Sequence, residues 1–349
     1  MLEDLLSSLP DQFNNAVSGR VLLLDGDGPA YEASATVKTL PAAIRRYQTL
    51  VETGRFLTGA ETVRVHLTPS GCLKYRRDDY PTVKPYQGNR VDKPKPPLLT
   101  PLRNAIASHA WPDYWGVFSW RDREADDGLM QDALYYGDRA VMFSADKDLN
   151  ITPGPLWIHD EGRLDVIPDR FGWIKTKRLA SQTKVVGHGT KFFWAQMLMG
   201  DTADNVQGIT RLHGKLCGAV GAYEALNHID SESDAAEFVL RAYMAAKQNP
   251  LAEAECLWLR RSNDDSGYQY LSELGLPDSI QQWLDSLHQY HQEVLAYKAQ
   301  LRDYENGIEE ECTSNSPRTE TPRSADSDGT PPWNGCDAGC SGCIAGHVQ

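Results

Sequence analysis

Nowhere does the chain carry an apolar run near the ~20 residues that a membrane-crossing helix needs. Its opening, Met1-Leu2-Glu3-Asp4-Leu5-Leu6, is acidic where a secretory signal is basic, so a cytosolic protein is expected. Positive charge is scarce: 35 Lys and Arg stand against 48 Asp and Glu, for a net charge of -13. Coating nucleic acid without specificity rests on Lys and Arg, so this balance excludes such a coat. It does not exclude a protein that meets phosphates through bound metal, because a metal-binding carboxylate cluster is itself negative until the ions offset it. The seven cysteines do not pair evenly: Cys72, Cys217 and Cys256 are scattered, and Cys312, Cys336, Cys340 and Cys343 sit near the end. Without an export signal, free thiols are the default. There is no internal repeat.

A hydrophobic fraction of 41% over 349 residues supports a sizeable core in one large or two small domains. After a leader at 1–19, Arg20-Val21-Leu22-Leu23-Leu24-Asp25 reads as a strand buried on both faces. A helical stretch through Ile44, Tyr47, Leu50 and Val51 leads to a second strand, 62–67. Strands at 115–120, 140–144 and 156–159 follow, with a helix from Glu124 to Tyr136. Alternating strands and helices predict an α/β fold with a mostly parallel twisted sheet over residues 20–190. From 191 to 304 the pattern is helical, at 191–200, 215–227, 233–247 and 278–303. Past Tyr304 the composition turns to Ser, Thr, Pro, Gly and acids, and a disordered tail is expected over 305–349.

Residues 69–101 interrupt this order with seven prolines and the basic residues Lys74, Arg76, Arg77, Lys84, Arg90, Lys93 and Lys95. Proline makes the segment irregular. In a crossover topology it passes above the carboxyl ends of the strands, where it can hold a polyanion. A solvated loop whose cations balance nearby acids is the plainer alternative.

Acids cluster where an open parallel sheet forms its sites, at strand ends and helix starts. The groups are Asp25/Asp27, Glu124/Asp126/Asp127, Asp146/Asp148 and Asp201/Asp204. Glu124 and Asp127 have the spacing that shares a helix face, and so do Asp201 and Asp204. One such cluster alone is most often a helix cap or first turn. Four of them at the predicted site point instead to hard divalent cations, which take carboxylate and water oxygens. A pair of ions about 3.5–4 Å apart can stabilise an in-line phosphoryl displacement.

The wording of these clusters goes further. Leu24-Asp25-Gly26-Asp27, Tyr86-Gln87-Gly88-Asn89-Arg90, Arg123-Glu124-Ala125-Asp126-Asp127, Ser144-Ala145-Asp146-Lys147-Asp148-Leu149 and Met199-Gly200-Asp201-Thr202-Ala203-Asp204-Asn205 follow one another in order. Over about residues 20–225 this order resembles the 5′-to-3′ exonuclease and flap endonuclease family, nearest to the exonucleases of short-tailed bacteriophages. The resemblance implies a metal-dependent nuclease acting on DNA with a 5′ end or flap, including RNA primers on DNA, in phage replication or recombination. It implies two Mg²⁺ ions, with Mn²⁺ able to serve, and a helix–three-turn–helix that grips duplex backbone. By position it assigns metal-binding acids to Asp25, Glu124, Asp126, Asp127, Asp146, Asp148, Asp201 and Asp204, and a phosphate-contacting arginine to Arg90. Arg76 matches a second basic residue near the site.

Three departures stand out. The second strand ends Leu67-Thr68-Pro69-Ser70, with no acid where the family usually has Asp. Gln87 stands where the motif usually has Lys, with Lys84 and Lys93 as candidates to supply the charge. The hairpin at 208–215 has Arg211 and His213 in place of glycines, leaving Arg211 and Lys215 to hold phosphate in a degenerate element. The departures motivate a second reading, a branched-DNA-binding protein of the same fold with little or no catalysis. A third, a toxin-type RNA-cleaving nuclease with a similar sheet, is disfavoured because such proteins are much shorter and lack the Asp201/Asp204 region. A monomer without membrane contact is expected. His188 reads as a turn residue, and Trp173, Phe192, Phe193 and Trp194 as core rather than base-stacking platforms. The spacing of Cys336, Cys340 and Cys343 allows a metal knuckle with Cys312 or His347, against the plainer alternative of free thiols in a flexible tail.

Overall fold

The computed structural model describes residues 16–91, 93–167 and 169–314. One compact unit ends at Gln300 and a second begins at Leu301. In chain order the strands are β1 (Val17–Asp25), β2 (Ala60–Leu67), β3 (Trp115–Ser119), β4 (Ala140–Phe143), β5 (Gly154–Ile158), β6 (Arg163–Ile167), β7 (Trp173–Arg178) and β8 (Thr183–His188). The α-helices are α1 (Asp27–Thr36), α2 (Leu40–Thr58), α3 (Leu99–Ser108), α4 (Ala125–Tyr136), α5 (Thr190–Met199), α6 (Ala219–Leu226), α7 (Glu232–Ala246), α8 (Pro250–Leu257), α9 (Gly267–Ser272) and α10 (Asp278–Ser314).

Six strands form the main sheet in the order β3-β2-β1-β4-β5-β6. The first five run parallel, and β6 returns antiparallel to β5. The expected α/β architecture with a helical C-terminal part is therefore present. The chain leaves β1 toward β2 and β3 on one side, then comes back to β4 on the other. The carboxyl ends of β1 and β4 thus flank the switch point, where open sheets of this kind hold ligands.

The apolar run of β1 is buried on both faces. Leu22 and Leu24 pack with Ala30, Ala33, Ala43, Tyr47 and Val51 of α1 and α2, and with Leu102 and Ile106 of α3. Val21 and Leu23 belong to the opposite core, with Leu129 of α4 and the helices from α5 to α10. Helix α5 fills the centre of that core: Phe192, Phe193 and Trp194 are fully buried, as their composition suggested.

The structure revises several boundaries. Residues 17–19, assigned to the leader, begin β1, and residues 1–15 lie outside the described part. Helix α10 continues past Tyr304 to Ser314, so the expected start of the tail is overrun. Residues 315–349, with Cys336, Cys340 and Cys343, lie outside the described residues, and so does the knuckle they were offered for. Cys72, Cys217 and Cys256 are free thiols.

The ribbon β7–β8 was not anticipated, because β7 buries only Ile174 and has no apolar run to detect. Trp173, expected in the core, is 41% exposed there, with the Lys175 ammonium over its ring. His188 ends β8 and is buried rather than standing in a turn. Helix α8 also escaped notice, although its start is well marked by Pro250 and by Asn249, whose side-chain oxygen accepts from the N–H groups of Leu251 and Ala252.

Candidate functional site

β1 delivers Asp25 to the switch point, and Gly26 lets the chain turn there. The Gly26 N–H donates to the His66 carbonyl at 2.8 Å. A Cβ at Gly26 would lie 2.7 Å from Val65 Cγ1 and 2.8 Å from both His66 O and Tyr47 Oη, so only glycine fits between the two acids. Asp25 accepts from the Asp27 N–H and the Ser144 hydroxyl, each at 3.0 Å, which ties it to the segment after β4. Asp27 pairs with Arg103 of α3 at 2.9 Å and accepts from the Thr68 N–H at 3.2 Å. Thr68, at the end of β2 where an acid was missed, also accepts the Ala125 N–H at 2.9 Å and so fastens β2 to α4.

Glu124 caps α4 in a reciprocal box with Asp127, so their spacing of three does bring them together. It sends Asp127 inward, however. Both Asp127 oxygens are held by the Arg77 fork, at 2.6 and 2.7 Å, and the Arg260 and Glu124 N–H groups donate to them as well. Asp127 is fully buried and does not line the cleft, and this corrects its assignment as a metal ligand.

Glu124 remains at the cleft wall. It accepts from Arg77 at 2.9 Å, the Tyr86 hydroxyl at 2.7 Å and Gln87 Nε2 at 3.0 Å. Asp126, between Glu124 and Asp127, has no hydrogen-bond or ion-pair partner among the described residues.

The basic, Pro-rich segment folds over this wall, but not with the residues singled out from sequence. Arg77, one position past Arg76, is the buried arginine; Arg76 is half-buried and outside the cleft lining. Lys84 and Lys93 are exposed, and neither lines the cleft. The cation beside Gln87 is Lys74: its Nζ donates to Gln87 Oε1 and lies 3.9 Å from Glu124 Oε1. Gln87 Nε2 reaches Glu124 and, at 2.9 Å, Asp204. Arg90 also meets Asp204, at 2.6 Å, and donates to the Ala203 carbonyl.

Beyond β4, Asp146 caps a short helical turn by accepting the Asp148 N–H at 2.9 Å. Asp201 and Asp204 do not share a helix face as their spacing suggested. They sit in a tight loop closed by paired backbone bonds between Asp201 and Val206, at 2.9 and 2.8 Å. One oxygen from each of Asp148, Asp201 and Asp204 lies within 4.8 Å of the others. Lys147 bridges two of them, at 2.9 Å from Asp148 and 2.6 Å from Asp201.

Together Asp25, Asp27, Glu124, Asp126, Asp146, Asp148 and Asp204 line one cleft of about 140 Å³. Burial, followed by the charge of Asp27, pushes the Asp25 carboxyl up to about 7. Asp148 is raised to about 7 by burial and then Asp146, against the pull of Lys147. Asp204 reaches about 6 through burial and Glu124, against Arg90. Asp126 is held well above the carboxylate range by burial, then by Asp25 and Asp146. These acids are short of positive charge, and all-oxygen donors with an unpartnered Asp126 suit hard divalent ions.

Arg211 and Lys215 lie in the loop between α5 and α6, paired through Leu212–Lys215 and Arg211 Nη1 to Gly214 O at 2.9 Å. Neither lines the acid cleft; Arg211 lines a separate groove with His213, Phe238 and Arg241.

Fold and site define an α/β protein with an acid-lined cleft at the switch point of a parallel sheet. No protein-family model and no curated protein matches the chain. Among solved structures it is similar to a T5 protein co-crystallised with metal ions, at 15% identity and a TM-score of 0.45, over 79% of this chain and 98% of that one. It is also similar to a T5 5′-exonuclease mutant, at 13% and 0.42 over 78% and 99%. A third is the bacteriophage T5 flap endonuclease in a pseudo-enzyme-product complex with DNA and metal ions, at 14% and 0.45 over 79% and 98%.

Proposed function

We propose that the chain is a metal-dependent 5′ nuclease, hydrolysing DNA phosphodiester bonds at 5′ ends or flaps, RNA primers on DNA included. The observation that carries this is the convergence of four acid-bearing segments on one cleft with too little positive charge to neutralise it. Asp25, Glu124, Asp126 and Asp146 would hold one ion, and Asp148, Asp201 and Asp204 a second. Bound Mg²⁺ or Mn²⁺ would supply a lowered pKa for an attacking water and charge for the leaving oxygen. The order of motifs that resembles the 5′ nuclease family supports the same reading.

The protein's own part is to bind and orient. Glu124, fixed by Arg77 and Tyr86, keeps one wall of the cleft rigid. Arg90, 47% exposed at the rim, can exchange Asp204 for a phosphate, which a guanidinium engages through two parallel bonds. Arg76, Lys84, Lys93, Arg211 and Lys215 would contact backbone farther from the scissile bond. We expect a monomer acting in the cytoplasm, of the host cell if phage-encoded.

A second reading keeps the DNA and drops the chemistry: a branched-DNA-binding protein. It is favoured by Lys147, whose ammonium already bridges Asp148 and Asp201 where an ion would sit. Digestion of 5′-labelled duplex and flap DNA with and without Mg²⁺ separates the two. Magnesium-dependent release of label supports the nuclease, while tight binding without product supports the second reading.

A further inference from the structure

Among the described residues five cations reach the acids of the cleft, and four are already committed, Arg103 to Asp27 at 2.9 Å. Arg77 is buried and spends its donors on Asp127, Glu124 and the carbonyls of Glu255 and Trp258. Lys147 bridges Asp148 and Asp201, and Arg90 holds Asp204. Lys74 is different. Among the described residues its ammonium has one hydrogen-bond partner, the neutral Gln87 amide, and the nearest carboxylate oxygen is 3.9 Å away. An ammonium has three donors, so Lys74 keeps capacity to spare beside Glu124 and Tyr86.

The backbone under it is unusual. Lys74, Tyr75 and Arg76 have φ of 49°, 51° and 59°, three successive non-glycine residues in the left-handed region. Each is disfavoured relative to the right-handed form, because Cβ comes close to the following carbonyl oxygen. The turn is held from outside by the Leu73 N–H, which donates to Arg121 O at 2.8 Å, and the Tyr75 N–H, which donates to Asp122 O at 2.7 Å; the Arg76 N–H closes it from within on Leu73 O at 2.7 Å. Strain of this kind persists where surroundings enforce it, and it concentrates at functional sites. Here it turns one ammonium toward the acid cleft and the next arginine but one, Arg77, into the core.

We infer that Lys74 is a substrate-contacting residue, holding the phosphate under attack from the side of the cleft where Gln87 stands. This rests on the nuclease reading above. The ammonium leaves the Gln87 carbonyl and donates to a non-bridging phosphate oxygen, while Gln87 stays on Glu124 and Asp204.

Four proteins test it: wild type, Lys74→Gln, Lys74→Arg and the exchange Lys74→Gln with Gln87→Lys. Three readings are taken: kcat/KM on a 5′-ended duplex in Mg²⁺, equilibrium binding of a 5′-phosphorylated oligonucleotide in Ca²⁺, and Mn²⁺ binding. Lys74→Gln should lose roughly tenfold or more in kcat/KM and bind more weakly. Lys74→Arg should stay near wild type, and the exchange should recover most of the loss by moving the charge one contact along. Mn²⁺ binding should be alike in wild type, Lys74→Gln and Lys74→Arg. A folded Lys74→Gln that cuts and binds as wild type does overturns the inference. So does a loss that neither Lys74→Arg nor the exchange restores, with or without weakened Mn²⁺ binding, since the turn would then only shape the site. If wild type cuts nothing, the nuclease reading falls. The Ca²⁺ binding arm then decides Lys74 alone: weaker binding by Lys74→Gln, restored by the exchange, supports the contact, and unchanged binding overturns it.

Discussion

Arg77 and Asp127 meet fork to fork, at 2.6 and 2.7 Å, where solvent reaches neither side chain. Removing one partner strands a buried charge, which costs about 3–5 kcal/mol. Asp127→Ala should therefore lower the urea midpoint strongly. Whatever fraction folds should still bind Mn²⁺, because Asp127 has no place in the cleft. Wild-type stability with lost Mn²⁺ binding would return Asp127 to the metal ligands.

Divalent ions should stabilise the fold by neutralising the crowded acids. Binding to the folded state alone, at a hundredfold excess over Kd, adds about 2.7 kcal/mol. Mg²⁺ or Mn²⁺ should raise Tm by several degrees, and excess chelator should abolish cutting while Ca²⁺ fails to support it. Asp146→Ala should remove most of the cutting with less effect on DNA binding. Calorimetry of the metal-free protein showing no change on adding Mn²⁺ would defeat the metal centre.

Arg90 is expected to trade Asp204 for substrate. Arg90→Ala should lower the rate on 5′-ended DNA by about tenfold, equivalent to about 1.4 kcal/mol. Lys93→Ala, exposed on the same segment, should weaken binding only modestly and flatten its dependence on salt. Equal salt slopes for Lys93→Ala and wild type would remove Lys93 from the phosphate contacts.

His291, buried on α10, gives the fold a pH dependence. Burial, then the charge of His288, lowers its pKa from 6.5 to about 4. Its Nε2 lies 2.8 Å from Asn249 Nδ2, and its ring meets Tyr80 edge-on, so no carboxylate among these partners favours the charged form. As pH falls, the unfolded chain takes the proton first. The contribution is fully present above about 6.5 and is lost between there and about 4, by about 3 kcal/mol. His291→Gln should flatten this part of the stability curve in urea titrations at pH 7.5, 6 and 5. An unchanged slope would show that His291 protonates freely in the folded protein.

Much of the site was legible in the chain because it depends on short-range pattern. An unbroken apolar strand must be buried on both faces, so acids at its end reach the switch point. Asp25, Asp126, Asp146, Asp148 and Asp204 accordingly share one cleft. The roles of the neighbouring cations were not legible. Whether Arg76 or Arg77 points inward depends on three left-handed residues held by backbone bonds to Arg121 and Asp122, about fifty positions along the chain. Whether Asp127 faces an ion or an arginine depends on where α8 brings the carbonyls of Glu255 and Trp258. The sequence by itself determined the sheet and the crowd of carboxylates, since periodicity and strand ends are local properties. Only the tertiary structure decided which cation answers each carboxylate, because charges pair by distance in space and not by spacing along the chain.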